Sequence, residues 1–227
     1  MYQNYAVIFD MDGVLADTGP IHYESWVKMA NEIGKTFKKS YFEATFGQQS
    51  VPITRQLVGR NVDQNLVEKW AQLKEQYYRE MLKDKIKPLP GVIELIEDLK
   101  SINFKLAVGS SGPPENVELL LTSLKIEHFF DTIITAAEVQ NGKPSPEVFI
   151  IAAQKINVKP QNCLVIEDAP VGIEAAKRAN MKCIALTTTH EIVDLRIADM
   201  IVQDLTYVSV NSILDLLNIK TQQDSQI

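Results

Sequence analysis

Four short stretches carry most of the polar chemistry this chain can offer: Asp10-Met11-Asp12-Gly13, Ser110-Ser111-Gly112, Gly142-Lys143-Pro144-Ser145 and Glu167-Asp168. Three of them end apolar, β-branched runs, and the other leads into a helical pattern. In an open parallel sheet, ligands bind outside the carboxyl ends of the strands, so all four would meet along one edge. Singly, each also has a structural reading. Asp-x-Asp-Gly is common in turns, Ser110 and Glu167-Asp168 can cap the helices that follow them, and Lys143 can be a loop charge. Together, the carboxylates of Asp10, Asp12, Glu167 and Asp168 against one Lys143 would repel one another and need a cation. A divalent ion, with Asp12 protonated, brings the formal charge to zero. Oxygen-only donors select Mg²⁺ over Zn²⁺, and Mg²⁺ commonly sits between carboxylates and a substrate phosphate. The set therefore points to phosphoryl transfer, where catalysis is largely positioning and charge neutralisation and an Asp carboxylate can itself be the nucleophile.

A carboxylate nucleophile needs no activating base, which suits a chain with three histidines and no Ser-His-Asp candidate. Other readings of these residues fail on spacing. An EF-hand counted from Asp10 would need Gly where Leu15 stands and Glu where Ile21 stands. No Gly-x-Gly-x-x-Gly follows the first apolar run, and Gly142-Lys143 lacks a P-loop glycine five residues upstream, where the chain has Ala137.

The elements that must position these groups alternate. Strands are expected at Tyr5–Asp10, Lys105–Ser110, Asp131–Thr135, Cys163–Glu167, Cys183–Leu186 and Met200–Val202. Apolar residues at i, i+3, i+4 spacing predict helices over Pro114–Leu124, Pro146–Lys155, Ala169–Ala179 and Ser209–Leu217. This is the pattern of an α/β parallel sheet with crossover helices. Only after the first strand is it broken, by a long stretch that reads mostly as helix and forms a second module. Within it, Ile21–Ile33 places Ile21, Ser25, Met29 and Ile33 on one face, and Asp63–Leu82 repeats Leu66, Trp70, Leu73, Tyr77 and Met81. Ala16–Pro20 and Lys87–Gly91 would join this bundle to the sheet, the latter leading into a helix over Val92–Lys100. The polar segment Thr221–Ile227 is expected to fray.

Composition bounds the partners. The 227 residues suggest about one and a half domains. Hydrophobic residues at 45% can fill a sizeable core. A net charge of −6 with pI ≈ 5.2 argues against nucleic acid or an anionic membrane as partner. Cys163 and Cys183 lie in apolar runs, as buried free thiols do in a reducing compartment, and we expect a cytoplasmic protein without signal peptide or membrane span.

Phe9-Asp-Met-Asp-Gly-Val-Leu-Ala-Asp-Thr18, Val108-Gly-Ser110, Gly142-Lys-Pro-Ser-Pro146, and Val165-Ile-Glu-Asp168 followed by Gly172-Ile-Glu-Ala175 resemble the four ordered motifs of the haloacid dehalogenase superfamily. The resemblance spans nearly the whole chain. It implies a Rossmann-like core of residues 1–16 and 89–227 with a small α-helical cap inserted at residues 17–88. It also implies Asp10 as nucleophile, Asp12 as general acid and base, and Ser110 and Lys143 as holders of the phosphoryl oxygens. Asp10, the backbone carbonyl of Asp12, and Asp168 would bind Mg²⁺, with Glu167 reaching it directly or through water. An Asp two residues after the nucleophile favours phosphatases and phosphomutases over dehalogenases.

Within the superfamily the chain is similar to the β-phosphoglucomutase-like sugar phosphatases, and the similarity extends to Thr18, His22, Trp26 and Lys74. His22 and the tryptophans also have packing readings. Where the mutases carry Ser-Lys-Asn to grip a second phosphate, this chain reads Gly112-Pro113-Pro114, and where they keep an Arg after the cap-loop Gly it has Ser50, the nearest Arg being Arg55. Gln48, Gln49 and Arg55, in the loop after Gly47, and Ser111 are further candidates for substrate contact. The expectation is a Mg²⁺-dependent phosphatase acting on a small phosphorylated metabolite, a sugar or polyol phosphate, through an aspartyl phosphate, as a monomer. The alternatives on the same fold are β-phosphoglucomutase, an inorganic pyrophosphatase or a nucleotide phosphatase. A phosphoacceptor signalling domain would need no cap, and a non-catalytic binding module would not need every catalytic position intact.

Overall fold

A computed structural model describes residues 2–82 and 86–219. Strands β1 (Ala6–Phe9), β2 (Lys105–Gly109), β3 (Thr132–Ile134), β4 (Cys163–Glu167), β5 (Lys182–Leu186) and β6 (Met200–Val202) form one sheet in the order β3-β2-β1-β4-β5-β6. Every pairing is parallel. The strands are those expected from sequence, β1 and β3 shorter by a residue at each end, β2 shorter by one at its end and β5 longer by one at its start. The C-terminal segment 221–227 lies outside the described residues.

Because successive side chains in a strand point to opposite faces, each apolar run is divided between two cores. Val7 and Phe9 of β1 join Leu106, Val108, Leu164 and Ile166 beneath α5 (Val92–Ser101), α6 (Pro114–Leu124) and α9 (Val210–Leu216). Ala6 and Ile8 join Ala107, Cys163, Val165 and Cys183 beneath α7 (Glu147–Lys155) and α8 (Pro170–Arg178). Both cysteines are free and buried here. Burial on both faces is why these strands read as unbroken apolar runs.

Between β1 and α5 run α1 (Gly19–Glu32), α2 (Lys39–Thr45), α3 (Ser50–Val58) and α4 (Gln64–Leu82), with a core of their own around Trp26, Met29, Phe37, Ile53 and Tyr77. The Trp26 and Phe37 rings stack at 5.0 Å. The excursion leaves and returns side by side: Ala16 bridges to Pro88, and the Leu89 N–H donates to the Leu15 carbonyl at 3.1 Å.

The helical faces follow the expected stripes only in part: Ser25, Met29 and Tyr77 are buried as expected, but the buried surface extends further round each helix. On α1 the buried set is His22, Ser25, Trp26, Met29 and Ala30, and Ile21 is only half-buried. On α4 it is Val67, Ala71, Lys74, Glu75, Tyr77, Tyr78 and Leu82, while Leu66 is exposed. The expected stripe marks only the flank facing the helical core. On the other flank of α4 the buried charges Lys74 and Glu75 stand among the apolar Val67, Ala71, Tyr78 and Leu82 and interrupt their period. Arg55 and its neighbours form α3 instead of a loop, with Pro52 in the first helical turn, where its missing N–H is harmless.

Gly91 opens α5 at φ +81°, and a Cβ there would lie 2.4 Å from the Leu205 carbonyl carbon and 2.5 Å from the Thr206 nitrogen. Both neighbours are backbone and cannot give way. Gly91→Ala is expected to lower stability by about 3 kcal/mol and the melting temperature by roughly 10 °C, as read by thermal unfolding.

Candidate active site

The register of the sheet assembles the site. Phe9 stands opposite both Val108 and Ile166, so the residues following β1, β2 and β4 come level. The order reverses at β1, which is where α/β sheets open a crevice. Asp10, Ser110, Glu167 and Asp168 therefore converge, all buried, and Lys143 reaches in from the loop before α7.

Lys143 Nζ donates to Asp10 Oδ1 and, at 2.7 Å, to Glu167 Oε1. Glu167 Oε2 accepts the backbone N–H groups of Asp168 at 2.8 Å and Ala169 at 2.9 Å, so both of its oxygens are engaged. Gly172 makes this possible, because a Cβ there would fall 1.7 Å from Glu167 Oε1. Burial pushes the Asp10 carboxyl up to about 8 against the pull of Lys143, with Glu167 and Asp12 adding to the rise. Asp168 is raised well above its ordinary value by burial and then by Glu167 and Asp10. Burial would lower the Lys143 ammonium, but the two carboxylates more than reverse that.

Three buried carboxylates with one ammonium are short of positive charge. Asp10, Glu167 and Asp168 each offer an oxygen, all within 4.8 Å of one another. The Thr189 hydroxyl donates to Asp168 Oδ2, which leaves Asp168 Oδ1 buried with no partner. An orphaned carboxylate oxygen in an all-oxygen donor set fits a hard divalent cation. Donors for a phosphoryl group stand nearby. Ser110 Oγ accepts the Gly112 N–H at 3.0 Å and keeps its own hydrogen to give, and Ser111 Oγ is a second buried atom without a partner.

Asp12 belongs to a different network. Its Oδ1 accepts from the Thr18 hydroxyl at 2.6 Å, His22 Nε2 at 3.1 Å and the Tyr78 hydroxyl at 3.2 Å, all from the helical module. Lys74 Nζ lies 2.7 Å from His22 Nδ1. An ammonium can only donate, so Nδ1 accepts and the ring hydrogen sits on Nε2, facing Asp12. Burial would raise the Asp12 carboxyl, but His22, Thr18 and Lys74 hold it at about 2. The zero-charge sum with a protonated Asp12 is thus corrected: Asp12 is ionised here and partnered with the module above it.

Lys74 also donates to Glu75 Oε1 at 3.1 Å. Glu75 Oε1 accepts from Ser50 Oγ as well, and Oε2 accepts from Asn116 Nδ2 on α6 at 2.6 Å. Arg79 Nη1 donates to Asn116 Oδ1 at 2.8 Å, which fixes the orientation of that amide. Polar contacts thus run without a break from Asp12 across the helical module to α6.

Asp10, Asp12, His22, Trp26, Gln48, Lys74, Glu75 and Ser111 line one narrow cavity of about 40 Å³ between the helices and the sheet. Gln49 lines the groove beside it. Arg55 is not brought to either: its guanidinium donates to the carbonyls of Val62 at 2.5 Å and Gly59 at 3.2 Å and to Gln64 Oε1 at 2.6 Å, tying down the α3–α4 loop. Sequence reading missed Ser50 as a partner of Glu75, and missed Glu75, Tyr78, Asn116 and Thr189 altogether. Tyr78 was findable one turn beyond Lys74; the others lie in no motif.

Removing the Lys143 ammonium leaves Asp10 and Glu167 buried without a cation. Lys143→Met in chelator-containing buffer is expected to lose about 3 kcal/mol of stability, measured by urea unfolding.

The chain matches the model of a family described as haloacid dehalogenase-like hydrolase over residues 7–186. It is 34% identical over 181 residues to a phosphorylated carbohydrates phosphatase from Thermotoga maritima, a match covering 78% of this chain and 82% of that one. It is 34% identical over 187 residues to the fructose-1-phosphate phosphatase YqaB of Escherichia coli, covering 81% and 97%. The crystal structure of a β-phosphoglucomutase from Clostridium difficile superposes with a TM-score of 0.87 at 31% identity, covering 94% of this chain and 97% of that one. Matches of this breadth, on a sheet whose strand ends gather these carboxylates, make the chain a member of the haloacid dehalogenase-like hydrolase family.

Proposed function

We propose that the protein is a Mg²⁺-dependent phosphatase of small sugar or polyol phosphates, working through an aspartyl phosphate on Asp10. The observation that carries the reading is the buried Asp10 beside Lys143, in a carboxylate cluster that includes the unpartnered Asp168 Oδ1. Two phosphatases of phosphorylated carbohydrates among the relatives support the substrate class. Residues 17–88 act as the cap over the core of residues 1–16 and 89–227.

Asp10, Asp168 and the backbone carbonyl of Asp12 would hold the ion, with Glu167 fixing Lys143 beside them. Bound there, Mg²⁺ supplies charge that neutralises the phosphoryl oxygens. An Asp10 oxygen attacks phosphorus, the bond to the sugar oxygen breaks, and its electron pair leaves on that oxygen. When the cap lifts, Asp12 loses the Thr18, His22 and Tyr78 donors that keep it ionised and takes up a proton from water; it gives that proton to the leaving oxygen and then takes one from the water that attacks the aspartyl phosphate. Ser110, Ser111 and Lys143 hold the phosphoryl oxygens. Thr18, His22 and Lys74 set Asp12 from the cap side, and Gln48 faces the substrate. The cavity, about 40 Å³, is narrow, and the cap opens to admit a sugar phosphate.

The mutase reading is favoured by the Asp12–His22–Lys74 chain and by the fold of the Clostridium difficile enzyme. Against it, Gly112-Pro113-Pro114 offers no side-chain donor, Ser50 is bound to Glu75, and Arg55 is turned away. Two buried free thiols fit a reducing, cytoplasmic setting, and among the described residues no helix is long and apolar enough to cross a membrane. A monomer acting on a small phosphorylated metabolite completes the reading.

Phosphate release from sugar and polyol phosphates is expected to stop with EDTA and return with Mg²⁺. Asp10→Asn is expected to lower it by about 10³-fold or more. Undiminished metal-dependent release by that variant would sink the mechanism, and conversion of β-glucose 1-phosphate to glucose 6-phosphate without net release would favour the mutase.

A further inference from the structure

We propose that Glu75 determines the class of substrate: its fixed negative charge on the cap wall accepts a hydroxyl from the far end of the substrate and rejects a second phosphate there. This rests on the phosphatase reading and says which phosphomonoesters that site takes.

Glu75 is a carboxylate with only 8% exposure in the wall of the cavity that also holds Asp10 and Asp12. It stays charged because its partners are donors. Burial would raise its carboxyl, yet Lys74 and Ser50 bring it below the ordinary value. Both of those contacts lie within the helical module, on α4 and α3. They travel with Glu75 when the cap moves.

The remaining contact, from Asn116, crosses to α6 of the sheet domain, and Arg79 holds that amide in its donating orientation. Room for a sugar in a cavity of about 40 Å³ requires the cap to lift, and lifting separates Glu75 from Asn116. Glu75 Oε2 then loses its donor while Oε1 keeps both of its own, so an ionised oxygen faces the substrate with its lone pairs free. A buried acceptor of this kind is satisfied by a hydroxyl and is left in like-charge contact by a phosphate.

Nothing in the wall of that cavity offsets the repulsion; Lys69 and Arg79 line the separate groove on the other side of Glu75. Among the described residues lining the cavity, Lys74 is the one with an ammonium or guanidinium, and it is already shared between Glu75 and His22. Trp26, Phe42, Phe46 and Ile53 in the same wall are apolar and suit the carbon skeleton of a polyol. Fixed charge in the roof thus selects a neutral, hydroxyl-bearing tail.

The test uses acetyl phosphate, which has no far end, as reporter substrate, and fructose 1-phosphate and fructose 1,6-bisphosphate as competitors that share one end and differ at the other. The wild-type enzyme is expected to bind the monophosphate at least tenfold more tightly than the bisphosphate. In Glu75→Gln this preference, read as the ratio of the two competitors' inhibition constants on the same variant, should fall to threefold or less, and Glu75→Asp should keep it. A wild type without the preference overturns the proposal. So does a Glu75→Gln enzyme that keeps the preference, or one in which acetyl phosphate turnover collapses together with both competitors' binding, since that marks a structural role. If wild-type enzyme releases no phosphate from any monoester, acetyl phosphate included, the phosphatase reading itself fails.

Discussion

The structure turns on the burial of three carboxylates, Asp10, Glu167 and Asp168, against a single ammonium, that of Lys143. Taking such charges out of water is costly unless each is paired or hydrogen-bonded. The fold meets that demand from every side. β1 and β4 run adjacent and parallel, so their last residues come level; the start of α8 presents two backbone N–H groups to Glu167; and Gly172 leaves space where any side chain would collide with it. What remains unmet, the charge deficit and the orphaned Asp168 oxygen, is what suits the cluster to a cation and an anionic substrate.

A second polar network, from Asp12 through His22, Lys74 and Glu75 to Asn116, governs the relation between the helices and the sheet. Each link pairs a donor with an acceptor, so a chain of buried charged groups crosses the interface without strong net charge. The donors that hold Asp12 ionised come from the helical module. Chemistry at Asp12 is thereby coupled to the position of those helices, as is the pairing of Glu75 with Asn116.

The strands and the four strand-end groups were legible in sequence, because burial on both sheet faces writes continuous apolar runs and the polar residues that break them stand out. Cys163–Glu167 and Met200–Val202 match in the structure residue for residue. The helical module was less legible. On the second buried flank of its α4, Lys74 and Glu75 interrupt the apolar Val67, Ala71, Tyr78 and Leu82, which hides that flank from a search for apolar period; Lys74 was noticed through family resemblance, and Glu75 beside it reads as an ordinary exposed helix charge. Arg55 was misjudged for the opposite reason, since a lone Arg near a functional loop gives no sign that backbone carbonyls ending its own helix will claim it.

By itself, then, the sequence determined the parallel sheet, the inserted helical module, and the carboxylates, hydroxyls and lysine that the strand ends must bring together, because strand register and alternation are local rules that any reader of the chain can apply. Only the tertiary structure decided which carboxylate pairs with which donor: Asp10 with Lys143, Asp12 with the helical module, Glu75 with Ser50, Lys74 and Asn116. Asp10–Lys143, Asp12–Tyr78, Glu75–Ser50 and Glu75–Asn116 join residues tens of positions apart or more, and the charge states follow from burial and neighbours, quantities that exist only once the two parts of the chain are packed together.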